Sequence, residues 1–350
     1  MDIRKWTRNI TIMVLGAFNA ESISSATPPQ EWVLNWPFTI LVVFMFYGLS
    51  LLVIEDLVSR YSLDYRKLFL IGLIYGLLEE GFLALTNELP SPPGFTPGFG
   101  RYLGLNVPWT IFISEFHAVY TVVLTFMIAD LIIPREKSGP VLSRWQYVPV
   151  LAYLALLYLS VPNYVLETVS TSSFFAMLVF QPGFFLSNFF LINAVRFYPS
   201  WESVAIQLAA ILVLSLLVIR LPRLELDGSE KRPVSRWTYV ILVLAFEIMF
   251  WVPYMTAFGG APDVFATVYY LVLPVTFGAL IISRIRKDSA FDASKIAAMS
   301  LTLLLFFGAF GVFVYILQGD IVGAAIVAVA LWVETELITR RYLLLKIFKR

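Results

Sequence analysis

Two adjacent glutamates, Glu79 and Glu80, lie in a stretch of sequence that is otherwise almost entirely apolar. On insertion scales, an ionised acid at the centre of a membrane helix costs roughly 2.5–3.5 kcal/mol. In a site that excludes water, two neighbouring carboxylates repel each other, and we expect one of them to hold a proton. The pair therefore has the chemistry of a general base or a proton carrier.

The chain has one histidine, His117, and no cysteine. The missing cysteines exclude disulfides, thiolate metal sites and cysteine nucleophiles, and a single histidine excludes a zinc site built from several of them. We expect no cofactor and no bound metal. His117 lies on one helical stripe with four hydroxyl residues, namely Thr110, Ser114, Thr121 and Thr125. Glu115 lies off this stripe.

The spacing of Gly72, Gly76 and Glu80 puts these three residues on one face of a helix, with Glu79 about 100° away. Glycines at this spacing let a second helix approach closely. If the helices before and after residues 88–106 are antiparallel, both glutamates and His117 lie at similar depth. We therefore predict a catalytic or transport site formed by Glu79, Glu80 and His117, either sealed or open to one side. The alternative is that the acids only hold helices together and that His117 is a core residue.

The helices that must position these residues are transmembrane. Of the 350 residues, 59% are hydrophobic and 14% are charged, whereas soluble domains have about 25% charged residues. The apolar blocks are about 20 residues long and do not alternate, which favours helices over barrel strands. We predict an all-α polytopic transmembrane helix bundle, a single integral membrane domain over 1–350 with no soluble domain. The predicted spans are 8–20, 36–57, 67–87, 107–131, 146–163, 201–220, 237–257, 264–284, 296–317 and 321–339.

The first of these segments has a second interpretation. A basic start, an apolar run and a small polar stretch also describe a secretory signal peptide, which is removed from the mature protein. We prefer a retained short helix over 8–20, which is followed by the polar turn Glu21–Thr27 and the stop Pro28-Pro29.

The distribution of basic residues predicts the orientation, because cytoplasmic loops are rich in lysine and arginine. With a cytoplasmic N-terminus, the loops that hold Arg60 and Arg135 lie inside. The later basic loops also lie on the cytoplasmic side only if segment 168–195 reverses direction within the membrane. Gln181-Pro182-Gly183 lies at its middle, where proline and glycine permit a turn. We predict a re-entrant hairpin over 168–195, in a multi-pass protein of the cell membrane with both termini cytoplasmic. The alternative is a single kinked span.

Cysteine labelling separates these two topologies, since the chain has no cysteine of its own. The re-entrant hairpin predicts that Ser229→Cys, close to Arg232, reacts only with a reagent on the cytoplasmic side. Ser91→Cys in the proline-rich stretch 88–106 is the control and should react only from outside. Reaction of Ser229→Cys from outside would contradict the hairpin.

Other acids in or near the spans are weaker candidates. Glu247 lies alone near the middle of a span, and we expect Glu55 and Asp56 at the membrane interface. We expect Glu334 and Glu336 to pair with the arginines that follow them, Arg340 and Arg341.

The pair Glu79-Glu80 on one span, followed by His117 on the next, resembles the glutamate-type intramembrane proteases of the CAAX-processing class. The resemblance implies that the glutamates activate water while histidine and asparagine assist and stabilise the oxyanion. In that family an arginine lies four residues after the second glutamate, and the corresponding residue here is Ala84. The second histidine of the family has no counterpart in this chain. Asn188 and Asn193 are the candidates for its asparagine. A second resemblance, to an uncharacterised prokaryotic multi-pass membrane family, rests on four runs of residues: Glu21…Ser24…Thr27-Pro28-Pro29, Glu79-Glu80-Gly81, Gly100-Arg101-Tyr102 and His117-Ala118-Val119.

Three functions are compatible with these residues. The first is a proton-coupled transporter in which the acids carry protons and a broken segment lines the site. The second is an intramembrane hydrolase or peptidase that uses the glutamates and His117. The third is a non-catalytic membrane scaffold. The expected partners are the lipid bilayer and a small molecule, an ion or a lipid-embedded substrate. The net charge of +1 gives no reason to expect nucleic acid.

Overall fold

The computed structural model describes residues 3–36, 39–88, 99–135, 140–167, 200–222, 233–256, 263–289 and 291–348. In chain order the α-helices are α1 (Ile3–Phe18), α2 (Glu31–Leu34), α3 (Met45–Tyr61), α4 (Tyr65–Leu78), α5 (Val107–Phe116), α6 (Thr125–Ile132), α7 (Arg144–Glu167), α8 (Trp201–Arg220), α9 (Arg236–Thr256), α10 (Asp263–Lys287), α11 (Ala293–Leu317) and α12 (Ile321–Phe348).

Several of these helices continue into wider π-helical turns. The π segments are Asn19–Ile23 after α1, Thr39–Phe44 before α3, Glu79–Leu83 after α4, and His117–Leu124 between α5 and α6. The connection from α4 to α5 contains a 3₁₀ turn, Thr86–Glu88, and two short antiparallel strands, β1 (Arg101–Tyr102) and β2 (Leu105–Asn106).

Each predicted span coincides with a helix, so the all-α membrane bundle is confirmed. Within the described residues, six helical segments are long and apolar enough to cross a membrane: Thr39–Tyr61, Val107–Ile132, Trp201–Arg220, Val264–Lys287, Ala293–Leu317 and Ile321–Arg341. The count of about ten spans stays a prediction. The proposed hairpin over 168–195 lies outside the described residues and also stays a prediction.

The helical run from Val107 to Ile132 is the centre of the described bundle. Within its most apolar stretch 83% of the residues are buried, compared with 11% in α8 and 17% in α10. Helix α4 packs along it, and α10, α11 and α1 contact other parts of it. Peripheral helices carry exposed apolar side chains, such as Leu212 and Val275, which suit contact with lipid rather than water.

Buried apolar residues form two clusters on either side of this central run. One is rich in aromatic rings, among them Phe112, Phe116, Phe250 and Phe307. The other joins α1, α3 and α4 to the central run. The central run therefore contributes side chains to both clusters, and its polar residues are shielded from lipid on both sides.

Glycines allow α4 to lie against the central run, as their spacing predicts. A Cβ atom at Gly72 would lie 2.6 Å from the Cα atom of Ala118, and one at Gly76 would lie 2.7 Å from the Cα atom of Ser114. Both distances are too short for carbon atoms that are not bonded. Only glycine permits this approach, which brings the end of α4 next to His117.

The β-hairpin fixes where the central run begins. Leu103 and Gly104 both have positive φ angles, 50° and 87°, as a two-residue hairpin turn requires. After the hairpin, the Asn106 side chain accepts a hydrogen bond from the Trp109 amide at 3.1 Å and donates one to the Phe99 carbonyl at 2.7 Å. This N-cap starts the helix whose residue His117 faces α4.

Candidate functional site

The structure brings the three predicted residues Glu79, Glu80 and His117 into direct contact. The Nε2 atom of His117 lies 2.9 Å from Glu79 Oε2 and 2.9 Å from Glu80 Oε1. All three side chains are buried, with exposed fractions of 2–7%. Two acids and one imidazole thus share a site that the described helices close off from solvent and lipid.

Local π-helical geometry explains why both glutamates reach the same imidazole. The amide of Ala84 donates a hydrogen bond to the carbonyl of Glu79 at 2.8 Å, which closes a turn wider than an α-helical one. A wider turn reduces the angle between successive residues, so Glu79 and Glu80 point in more similar directions than the 100° predicted for an α-helix. His117 begins another such segment, and π turns are frequent at functional sites.

Hydroxyl groups hold the outer oxygens of both carboxylates. Tyr47 on α3 donates a hydrogen bond to Glu79 Oε1 at 2.5 Å. Thr86 donates a short hydrogen bond to Glu80 Oε2 and accepts one from the Trp109 indole at 3.0 Å. Each carboxylate therefore has one oxygen bound to a hydroxyl, while the other is directed at His117.

The opposite side of the imidazole is also occupied. His117 Nδ1 lies 3.0 Å from the hydroxyl oxygen of Thr121, one turn further along the central run. The ring packs between aromatic residues, with ring centroids 6.3 Å from Tyr47, 5.7 Å from Tyr75 and 5.2 Å from Phe116. These contacts fix the orientation of the ring and keep Nε2 directed at the acids.

A third acid, Glu21, belongs to the site, and sequence reasoning missed it. It lies in the π segment after α1, where it accepts a hydrogen bond from Thr27 at 2.6 Å and lies near enough to His117 and Glu80 to interact electrostatically. The sequence pattern predicts only a polar turn over Glu21–Thr27. The signals for Glu21 were its position directly after an apolar helix, with Asn19 and Ser22 beside it, and its place in the run that resembles the uncharacterised membrane family.

Several buried polar atoms around the site have no hydrogen-bond partner among the described residues. They include Glu79 Oε2, the hydroxyl of Tyr75 and the hydroxyl of Ser114. Buried polar groups in proteins are nearly always paired, so such a concentration needs an explanation. An ion, a water molecule or a proton would satisfy these atoms.

Polar residues continue from the site along the central run. Thr121 and Thr125 are completely buried, and Asn19 on the neighbouring π segment donates to the Thr125 hydroxyl at 3.4 Å. Asp130 follows near the end of α6. From His117 to Asp130 the run advances roughly 20 Å at about 1.5 Å per residue.

Asp130 belongs to a second charged cluster, at the end of the bundle opposite the hairpin, which we call the arginine end. Arg8 lies 2.8 Å from Glu55 Oε1 and 2.7 Å from Asp130 Oδ1, and Arg135 lies 3.2 Å from Glu55 Oε2. The position of Glu55 and Asp56 at the membrane interface stays a prediction. Both are buried within the protein, 2% and 0% exposed, because their partners come from α1, from the segment after α6 and from the start of α7.

The remaining acids have separate positions. Glu247 on α9 is completely buried and accepts a hydrogen bond from Tyr120 at 2.6 Å. Glu336 pairs with Arg340 at 2.6 Å, as predicted. Glu334 instead is 5% exposed and one of its oxygens has no hydrogen-bond partner among the described residues. Neither Asn188 nor Asn193 lies within the described residues.

The arrangement has two chemical capacities. Three carboxylates near one imidazole can bind and release protons. Ionised carboxylates repel one another in so small a volume, so these groups share protons and titrate together. The ligand atoms of Glu79, Glu80 and His117 all lie within 4.8 Å of one another, so the same residues could hold a metal ion.

Comparison with known proteins places the chain in a family. A family model described as an uncharacterised membrane protein family matches residues 10–343. Neither a curated protein nor a solved structure matches the chain. Since the match extends over nearly the whole sequence, the chain belongs to this uncharacterised membrane protein family.

Proposed function

We propose that the protein is a proton-coupled membrane transporter and that Glu79, Glu80 and His117 are its proton-binding residues. The observation that carries this proposal is the row of buried polar groups between this site and the arginine end. Ionisable and hydroxyl side chains in such rows are typical of proton relays in pumps and transporters. In the proposed orientation, the hairpin of β1 and β2 faces outside and the arginine end faces the cytoplasm.

The site itself supplies the first step of the proposed path. A proton on one carboxylate can pass to the other through the imidazole, because His117 Nε2 is 2.9 Å from an oxygen of each. The second ring nitrogen, 3.0 Å from the Thr121 hydroxyl, offers an exit toward the arginine end. Histidine suits this role because it exchanges protons at one nitrogen while it holds one at the other.

The path then follows the central run. Thr121, Thr125 and Asn19 supply hydroxyl and amide groups, and Asp130 supplies a carboxylate at the far end. Arg8 and Arg135 balance the charges of Asp130 and Glu55 there. The proposed path therefore links the buried site around His117 to the partly exposed Asp130 through neutral groups that can form hydrogen bonds.

Proton movement is measurable while candidate cargoes are supplied, because a coupled transporter moves protons only together with its cargo or in exchange for it. Vesicles reconstituted with the protein and loaded with a pH-sensitive dye are placed under a potassium diffusion potential, with a mixture of candidate ions and small molecules, divalent cations among them, on both sides of the membrane. We expect proton uptake well above that of protein-free vesicles, and a reduction of at least about tenfold for Glu80→Gln, which cannot bind a proton. Glu336→Gln, which changes an exposed carboxylate paired with Arg340, is the matched control and should retain wild-type uptake.

Intramembrane hydrolysis is the second candidate, favoured by the contact of two carboxylates with one imidazole. It matches what the resemblance to CAAX-processing proteases implies. The same assay separates the two functions, since a hydrolase without its substrate moves no protons across the vesicle membrane. Equal uptake by wild-type and protein-free vesicles would contradict the transporter and leave the hydrolase or a scaffold.

A further inference from the structure

We propose that Glu79, Glu80 and His117 bind a six-coordinate divalent cation of the Mn²⁺ type. This inference rests on the proposed function and names the chemical class of its cargo. Two carboxylate oxygens and one imidazole nitrogen, all from buried side chains, converge on one position and carry the inference.

The distances between the ligand atoms agree with this kind of ion. Two ligand atoms about 2.1 Å from a metal lie about 3.0 Å apart at the right angles of an octahedral site, and about 3.4 Å apart at tetrahedral angles. The distances from His117 Nε2 to Glu79 Oε2 and Glu80 Oε1 are both 2.9 Å. They fit octahedral geometry better than the tetrahedral geometry that zinc prefers.

The two carboxylates lie close enough together to share one ion. The three ligand atoms lie within 4.8 Å of one another, and ligands of such an ion are about 3.0 Å apart when adjacent and about 4.2 Å apart when opposite. Oxygen ligands with one imidazole suit Mn²⁺ and similar ions, whereas soft ions prefer sulfur.

A buried oxygen without a hydrogen bond independently indicates a ligand at this position. Glu79 is 5% exposed, and its Oε2 atom lies 2.9 Å from His117 Nε2 but has no hydrogen-bond partner among the described residues. Glu80 Oε1 lies at the same distance from Nε2, so two carboxylate oxygens compete for one ring nitrogen. A cation between the three side chains would satisfy Oε2, Oε1 and the Nε2 lone pair together.

The surrounding hydrogen bonds resemble the outer shell of a metal site. Ligating histidines usually donate their other N–H to a neighbouring oxygen, and ligating carboxylates are themselves hydrogen-bonded. Here His117 Nδ1 faces Thr121, Tyr47 holds one oxygen of Glu79, and Thr86 holds one oxygen of Glu80. Each of the three residues therefore keeps one ligand atom directed at a common point.

Nearby groups add charge and water-binding capacity. Glu21 brings a third acid close to the single imidazole, so the site favours a cation over an anion. The hydroxyls of Tyr75 and Ser114 have no hydrogen-bond partner among the described residues, so water molecules that complete the coordination would also satisfy them. The Tyr75 ring packs against the His117 imidazole with ring centroids 5.7 Å apart, and Ser114 lies three residues before His117 on the central run.

Titration of Mn²⁺ into the purified, chelator-treated protein tests the inference. The resonance spectrum of free Mn²⁺ should disappear as one ion binds per chain, with release of protons into weak buffer. We expect Glu79→Gln and His117→Ala to weaken binding by at least about 100-fold and Tyr47→Phe, which keeps both glutamates, by about tenfold. Glu336→Gln should bind as the wild type does.

The outcomes separate the site from the transport function. Absence of binding by well-folded wild-type protein at millimolar Mn²⁺ would overturn the inference, as would equal binding by the wild type and Tyr47→Phe, Glu79→Gln and His117→Ala. Proton uptake without Mn²⁺ binding would overturn only the cation site. Mn²⁺ binding without proton uptake would contradict the transporter but support the site.

Discussion

Replacement of His117 by alanine should lower the free energy of unfolding by about 3–5 kcal/mol, because it leaves buried acids without their partner. Glu79 and Glu80 both direct an oxygen at Nε2 from 2.9 Å, and Glu21 lies close by. Without the imidazole these carboxylates repel one another in a site with little water. Loss of ring packing against Tyr47, Tyr75 and Phe116 adds to the effect.

The effect is measurable by titration of purified protein with sodium dodecyl sulfate, with tryptophan fluorescence as the signal. Two controls separate charge from packing. Val119→Ala removes buried methyl groups from the same π segment and should cost about 1–2 kcal/mol. The double variant His117→Ala/Glu80→Gln removes one of the stranded charges and should recover part of the loss. If the double variant is less stable than His117→Ala, the carboxylates are not in conflict.

The contact between the glutamates and His117 was predictable because three independent features agreed. Gly72 and Gly76 predicted that a second helix packs closely against theirs. The positions of the acids in their span predicted that they lie at the same depth in the membrane as His117. The connection 88–106 predicted that the two helices are antiparallel. None of these depends on distant parts of the chain. Patterns within two neighbouring helices therefore sufficed to bring these residues together.

Other members of the site depend on contacts that no local pattern encodes. Glu21 reaches the site because α1 packs against α3 and the central run, and Tyr47 reaches it from α3. The sequence around a tyrosine in an apolar span does not show whether its hydroxyl donates a hydrogen bond to a functional site or its ring only packs in the core. The π turns were also unpredicted, because they arise where packing favours a wider turn over the regular helix.

At the arginine end, local sequence patterns likewise did not predict which charged residues are buried. Glu55 and Asp56 follow an apolar span, so hydropathy places them at an interface. In the structure Arg8 and Arg135 cover Glu55, while backbone amides of Val141 and Leu142 and the hydroxyl of Tyr147 bind Asp56. Burial of these acids follows from partners far away in sequence, which hydropathy alone cannot identify.

Arg8 at this end leads to the second large prediction, since Arg8→Leu should also lower the free energy of unfolding by about 3–5 kcal/mol. Arg8 is 4% exposed and connects three elements through Glu55 on α3, Asp130 on α6 and the Ile133 carbonyl, to which it donates at 2.6 Å. Leucine fills part of the volume but leaves the buried Glu55 and the partly buried Asp130 with Arg135 as their main partner.

The same detergent titration measures this loss, and three further variants establish its cause. Arg340→Leu removes an exposed arginine from its pair with Glu336 and should change stability by less than about 1 kcal/mol. Arg8→Lys should remain destabilised, because an ammonium group cannot match the fork of contacts that the guanidinium makes. Arg8→Leu/Glu55→Leu removes opposite charges together and leaves Asp130 beside Arg135, so it should be more stable than Arg8→Leu alone.

Stability and transport should respond differently to these changes, and the difference tests the proposed path. If Arg8 and Arg135 only balance the charges of Glu55 and Asp130, a folded Arg8→Leu/Glu55→Leu protein still has Asp130 at the end of the row that begins at His117. Its proton uptake should then stay within about threefold of the wild type, whereas Asp130→Asn should lose most of it. Wild-type uptake by a folded Asp130→Asn protein would exclude the arginine end from the path and confine proton exchange to the site around His117.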